Sequence, residues 1–242
     1  MNTPDFTNAV MRRYLAAQSP VGRWSLNQIN WLTRLAWRGL VSGSRLAKRA
    51  FDIVGSLVAL LLLAPLFLLI ALLIKREDGG TIIFAQRRVG RRGREFKMFK
   101  LRSMCGDAEQ RLRELLQRNQ HCEGVTFKLK DDPRITRVGR WLRRFSFDEL
   151  PQFYNVLIGD MSLVGPRPPL PREVALYSLA DRRRLEATPG ITCFWQISGR
   201  SELDFSQQVK LDVQYIENRT FWVDVEILAK TPPAVLSGTG AY

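Results

Sequence analysis

The sequence predicts an α+β fold that is mainly helical: a re-entrant membrane helix hairpin, then a small cytosolic domain with a β-hairpin and amphipathic interfacial helices. Three observations carry this. Residues 53–74, IVGSLVALLLLAPLFLLIALLI, run for 22 residues without a charge. Residues 81–89 and 94–102 read as two strands joined by Gly90-Arg91-Arg92-Gly93, a turn-forming connection. Beyond them, apolar positions recur at helical spacing between Gly and Pro stops.

The apolar run comes first. At about 1.5 Å per residue it makes a helix of roughly 33 Å, enough to cross a hydrocarbon core of about 30 Å. Pro65 lies at its middle, where it removes a backbone donor and disturbs the preceding turn. Both flanks are basic, with Arg45, Lys48 and Arg49 before the run and Lys75 and Arg76 after it. Positive residues near membrane ends stay on the cytoplasmic side, so a segment positive at both ends is satisfied by entering, bending at Pro65 and returning. A kinked span is the other reading these residues allow, because proline also occurs in spanning helices. The run begins too far into the chain, and lacks the cleavage site, for a removed signal peptide. Upstream, Trp24, Trp31 and Trp37 stand among Arg23, Arg34 and Arg38 at spacings that place the indoles near one helical face. Residues 20–44 therefore read as an interfacial helix, with packing on the protein itself as the alternative. The expected organisation is an N-terminal extension over 1–44, the membrane hairpin over 45–76 and a catalytic domain over 77–242.

In that last part, residues 108–119 form a helix with Leu112, Leu115 and Leu116 on one side. Further helices are expected at 150–158, at 173–186 ahead of Pro189-Gly190, at 205–217 with Asp204 as cap, and at 221–230. Lys plus Arg number 37 against 23 Asp plus Glu, a formal charge of +14, which calls for a polyanionic partner: nucleic acid, an anionic lipid surface or phosphate-rich substrates. His121 is the only histidine, so a multi-histidine metal site is excluded. Cys105, Cys122 and Cys193 are scattered without zinc or disulfide spacing and read as reduced thiols.

The densest chemistry lies in RRFSFDELPQ at 143–152 and GDMSLVGPRP at 159–168. Pro151 belongs in a first helical turn, which sets Asp148 and Glu149 at a helix start, where carboxylates stay ionised. An ionised carboxylate beside arginines and a divalent cation suits attack on phosphorus, because the cations neutralise oxygens that would repel the nucleophile. The same residues also fit a capping box, Ser146-x-x-Glu149, with Asp148 a mere cap. Arg167, fixed between Pro166 and Pro168 after Gly165, is aimed as a planar two-pronged donor for phosphate, and Gly199-Arg200 repeats the design. Solvated charge is the alternative for both.

From about Arg45 onward the chain resembles the bacterial sugar transferase family, the small monotopic polyprenyl-phosphate phosphoglycosyl transferases. The matching pieces are Lys48-Arg49-x-x-Asp52, Gln86-x-Arg88-Val89-Gly90, Lys100-x-Arg102-Ser103-Met104, Asp148-Glu149-Leu150-Pro151-Gln152, the 159–168 stretch, Pro189-Gly190-Ile191-Thr192 and Trp195-Gln196-x-x-Gly199-Arg200. The resemblance implies a membrane bend at Pro65, a site at the cytosolic face of the bacterial inner membrane, dependence on Mg2+, and two-step transfer through a covalent phosphosugar on Asp148. It makes Asp148 the nucleophile and a metal contact, Glu149 its partner, and Arg143, Arg167 and Arg200 the phosphate-binding arginines. The implied partners are a UDP-sugar donor, a polyprenyl phosphate acceptor and inner-membrane lipids, with no nucleic acid; the oligomeric state, a homodimer included, stays open. Many members place Ser-Pro at the bend, where this chain has Ala64-Pro65. The C-terminal run 235–242 is similar to members that load a plain hexose, so UDP-galactose or UDP-glucose is the expected donor. The product would start an exopolysaccharide or O-antigen. The competing class is a non-catalytic membrane-anchored binder of polyanions, or a scaffold for polysaccharide synthesis. That class explains the charge but not the acids and prolines set among the arginines.

Overall fold

The computed structural model describes residues 11, 14–15, 18–108, 110–111, 132–199 and 203–236. The chain divides into two compact units, Met1–Arg49 and Ala50–Tyr242. Helix α1 is assigned over Pro20–Asp78, and helical structure continues through Pro65 without interruption. In the first unit Trp24 and Trp31 are exposed. Within α1 the stretch Ser44–Asp78 is long and apolar enough to cross a membrane.

The second unit takes in the part of α1 from Ala50 to Asp78. The hairpin forms as its alternating residues dictate: β1 (Ile83–Val89) pairs antiparallel with β2 (Glu95–Leu101), and Ile83 lies opposite Leu101. The connection is a single tight turn over Arg91–Gly93 in which Arg92 takes a left-handed conformation. Helix α2 (Arg137–Arg144) follows, started by the Thr136 side chain accepting from the Gly139 amide. Next come α3 (Gln152–Ile158), closed by left-handed Gly159, and β3 (Ser162–Val164). The order then runs α4 (Pro171–Ala175), β4 (Gly190–Thr192), α5 (Phe194–Ser198), α6 (Phe205–Asn218) and α7 (Phe221–Leu236). β3 and β4 form a second, parallel pair. Their approach requires glycine, since a Cβ on Gly190 would lie 2.0 Å from the Gly165 amide nitrogen.

Two apolar clusters organise this unit. One joins Phe96, Met98, Val156, Leu163, Tyr215 and Ile227, with Phe51 packed on its edge. The other joins Ile70 and Ile74 of α1 to Leu101 and Leu142, with Phe147 against it. Strand β2 feeds both. Asn155, fully buried, pins α3 to that strand: its Oδ1 accepts from the Phe99 amide at 2.9 Å and its Nδ2 donates to the Lys97 carbonyl at 2.7 Å.

Several expectations need correction. The helix expected at 173–186 is two short pieces, α4 and a 3-10 segment over Asp181–Glu186, because Ser178 breaks it by bonding forward to the Asp181 carboxylate. The last helix runs past residue 230 to Leu236, through Pro232 and Pro233. Helix α2 and the β3–β4 pair were not expected at all. The helix expected at 108–119 begins on schedule, while Leu112, Leu115 and Leu116 lie outside the described residues.

Candidate active site

Asp148 and Glu149 do not sit in the first turn of α3. They occupy a 3-10 turn, Phe147–Glu149, which the chain enters through Ser146 in a left-handed conformation with φ 54°. Ser146 makes no side-chain cap, so the capping-box reading fails. Instead the Trp141, Phe145 and Phe147 rings pack together at 5.1–5.9 Å and hold the turn over the end of α2.

The turn directs both carboxylates toward β2. There the Lys100 ammonium donates to Glu149 Oε1 at 2.7 Å and lies 3.7 Å from Asp148 Oδ2. One cation therefore serves two acids. Burial raises the Asp148 carboxyl above its ordinary value; Lys100 opposes this only in part, and the neighbouring Glu149 charge adds to it. Burial also acts on Glu149, but Lys100, Arg167 and Arg88 together outweigh it and hold that carboxyl below the usual range. Ionisation of both acids by a helix terminus, as expected from Pro151, is thus replaced by two unequal carboxyls sharing a lysine.

Beside them is a cleft lined by Arg88, Lys100, Glu149, Gln152, Arg167 and Gln196. Arg167 is presented by a loop whose carbonyls are held one by one. Pro166 O accepts from the Gly190 amide at 2.9 Å, Pro168 O from Arg88 Nη1 at 3.0 Å, and Pro169 O from the Val89 amide at 2.9 Å. The exposed Arg167 guanidinium lies over the Trp195 ring, 5.8 Å from its centroid. Arg88 is buried, bonded also to Gln86 Oε1, and its pKa is lowered to about 10 by burial and then by Arg167.

Of the residues singled out by sequence, Glu149 and Arg167 line this cleft, and Asp148 is buried beside it, next to Lys100. Arg143, half-buried at the end of α2, is close enough to lower the Asp148 pKa. Arg200 lies outside the described residues, as do His121 and Cys122. Lys100 and Arg88 were visible as parts of motifs but had no assigned role. Their positions on paired strands, facing the same cleft as Glu149, supply it. Among the described residues, no three of His, Cys, Asp and Glu gather into a metal-binding group. Two adjacent carboxylates still fit a Mg2+ ion of the kind bound by one or two carboxylates together with substrate phosphates.

A pair of acids beside a lysine, with two arginines and a proline-locked loop, has the charge pattern that suits a phosphate-bearing substrate, and among the described residues one helix is apolar and long enough to span a membrane. The chain belongs to the bacterial sugar transferase family, whose model matches residues 43–238. It is 52% identical over 199 residues to the galactosyl transferase CpsE of Streptococcus agalactiae, covering 81% of this chain and 43% of that one. It is 44% identical over 200 residues to the exopolysaccharide production protein ExoY of Rhizobium meliloti, covering 81% of this chain and 88% of that one. It is 46% identical over 202 residues to the undecaprenyl-phosphate galactose phosphotransferase of Salmonella typhimurium, covering 82% and 42%. The chain thus spans less than half the length of the first and third of these relatives, and most of ExoY.

Proposed function

We propose that the chain transfers a hexose-1-phosphate from a UDP-sugar to undecaprenyl phosphate, the first step of an exopolysaccharide or O-antigen, at the cytosolic face of the bacterial inner membrane. The observation that carries this is Asp148, buried 3.7 Å from the ammonium of Lys100, which lines the cleft together with Glu149 and Arg167. Two of the three relatives are named for galactose, which favours UDP-galactose as donor.

In the first step an Asp148 oxygen attacks the phosphorus that bears the sugar. The bond from that phosphorus to the nucleoside monophosphate breaks, and UMP leaves. In the second, an oxygen of undecaprenyl phosphate attacks the same phosphorus, and the bond to Asp148 breaks to restore the carboxylate. Glu149, kept ionised, holds Lys100 at the cleft, while Arg167 and Arg88 offer planar donors to the phosphate oxygens. Arg143 faces Asp148 from the α2 side. A Mg2+ held by Asp148 and the donor diphosphate would supply further charge neutralisation there.

The re-entrant reading of residues 53–74 gains support from the two ends of the apolar stretch. Asp52 bonds to β3, and Ile70 and Ile74 pack on Leu101 and Leu142 of the same unit. Between them Leu61, Leu62 and Leu68 are about 70% exposed, as lipid-facing side chains are. Single cysteines near positions 41 and 79, in a background lacking the native cysteines, should label from one side of the membrane. Labelling from opposite sides would establish a span instead.

The enzymatic test uses membranes with undecaprenyl phosphate, Mg2+ and a panel of UDP-sugars, reading UMP release. Without acceptor, radiolabelled sugar phosphate should remain on the wild-type protein and come off with hydroxylamine. No label on the protein, with product formed normally once acceptor is added, would exclude the covalent route.

A further inference from the structure

Asp52 is the one acid near the start of the apolar stretch, and it is 4% exposed. Its Oδ1 accepts two hydrogen bonds, from Ser162 Oγ and from the Leu163 amide, both at 3.0 Å. The pairing of β3 with β4 uses the Ser162 amide, which donates to Pro189 O, and the Gly165 amide, which donates to Thr192 O. The Leu163 amide points the other way. Without Asp52 it would be a buried donor lacking this acceptor. One turn further along α1, a Cβ on Gly55 would lie 2.8 Å from Leu163 Cδ1, so the helix and the strand touch closely here.

The strand gripped in this way leads straight into the loop of Pro166, Arg167 and Pro168. It is held from its other end too: the Tyr215 hydroxyl lies 3.0 Å from Val164 O and 2.7 Å from Asp224 Oδ1. Three consecutive residues of β3 are thereby fixed by polar groups from α1 and α6, the latter bonded in turn to α7.

We infer that Asp52 is a positioning residue, which fixes the apolar helix against β3 and through β3 sets where Arg167 stands relative to Asp148. The inference rests on the functional reading above, in which Arg167 receives the donor phosphate. A misplacement near 1 Å is enough to matter at such a site, being worth about 10²-fold in rate in the extreme.

The experiment measures UMP release in proteoliposomes, with active sites counted by the covalent phosphosugar. Asp52→Ala should raise the KM for the UDP-sugar about tenfold with kcat per active site within about threefold, because the arginine is displaced while the nucleophile is not. Asp52→Asn should stay within about twofold of wild type, because its amide oxygen accepts the same two bonds. In an Arg167→Lys background Asp52→Ala should add little, since both changes act through one side chain. A merely structural role lowers the number of active sites at unchanged KM. An unchanged KM in Asp52→Ala, an Asn variant as poor as the Ala variant, or full additivity with Arg167→Lys each overturns the inference. If Asp52→Ala does not accumulate in membranes, Ser162→Ala, which removes one of the two bonds, must raise KM about threefold, and an unchanged KM there overturns it equally. A wild-type protein that releases no UMP from any UDP-sugar would instead remove the functional reading itself.

Discussion

Two buried pairings of acid and base in this chain look alike on paper and differ in their matching. Arg184 and Asp212 form a closed pair, one to one, with side chains only 4% and 1% exposed. Tyr177 takes a second hydrogen bond from that guanidinium, and the Tyr177 and Phe205 rings face it. At the cleft, Lys100 lies between Asp148 and Glu149, and among the described residues no carboxylate is hydrogen-bonded to Arg88 or Arg167, which stand nearby. The closed pair joins its two charges to each other inside the fold, although among the described residues Arg184 Nε and Asp212 Oδ1 have no hydrogen-bond partner and burial raises the Asp212 carboxyl to about 6. The open one leaves an arginine facing the cleft and sets two carboxyls on a single lysine. The difference separates an enclosed interior pair from an open cluster that, in the proposed reading, a substrate phosphate completes.

The largest effects test whether that division holds. Asp148→Asn should cut transfer by about a thousandfold or more, since an amide is neither nucleophile nor good metal ligand, while thermal stability is kept or improved. Near-normal turnover in that variant would end the covalent mechanism. Arg184→Met should do the reverse. It strands Asp212 in the interior and should cost about 3–5 kcal/mol of stability, read by denaturation in detergent, with the KM of the surviving protein unchanged. A variant as stable as wild type would show that the pair is no strut.

A smaller loss, about ten- to a hundredfold in kcat/KM, is expected from Arg167→Lys, which keeps the charge and loses the planar fork. If lysine there supports full activity while Arg167→Ala does not, charge alone suffices. The smallest effect is a displacement in pH. The Lys100 cation favours the ionised form of Asp148, so removing it raises that carboxyl further. The acid limb of the kcat/KM profile, which marks deprotonation of Asp148, should therefore move to higher pH in Lys100→Met. A limb that stays put or moves down would uncouple Lys100 from the nucleophile.

Much of this was legible because the signals are local. The hairpin followed from strand-forming runs on either side of a Gly-bounded turn, and Asp204 caps α6 as its sequence signature promises. The proline-flanked Arg167 was readable because prolines and a glycine constrain the backbone whatever surrounds them. Lys100, Arg88 and Asp52 stood in motifs, but their partners lie 49, 80 and 110 residues away, beyond any local pattern. The three-residue strands β3 and β4 are too short for periodicity to register. Ser146 misled the reading for a related reason: its spacing to Glu149 fits a capping box, yet aromatic packing around Trp141 and Phe147 places it in a left-handed turn instead.

The loop that carries Arg167 also bears on the heat of binding. Its three proline carbonyls are already held by Gly190, Arg88 and Val89 before any ligand arrives. Prolines have little backbone freedom to lose, and what the loop had is lost during folding. Donor capture there should consequently show a small entropic penalty at the protein, and titration calorimetry of a UDP-sugar should record binding led by enthalpy rather than opposed by loop ordering.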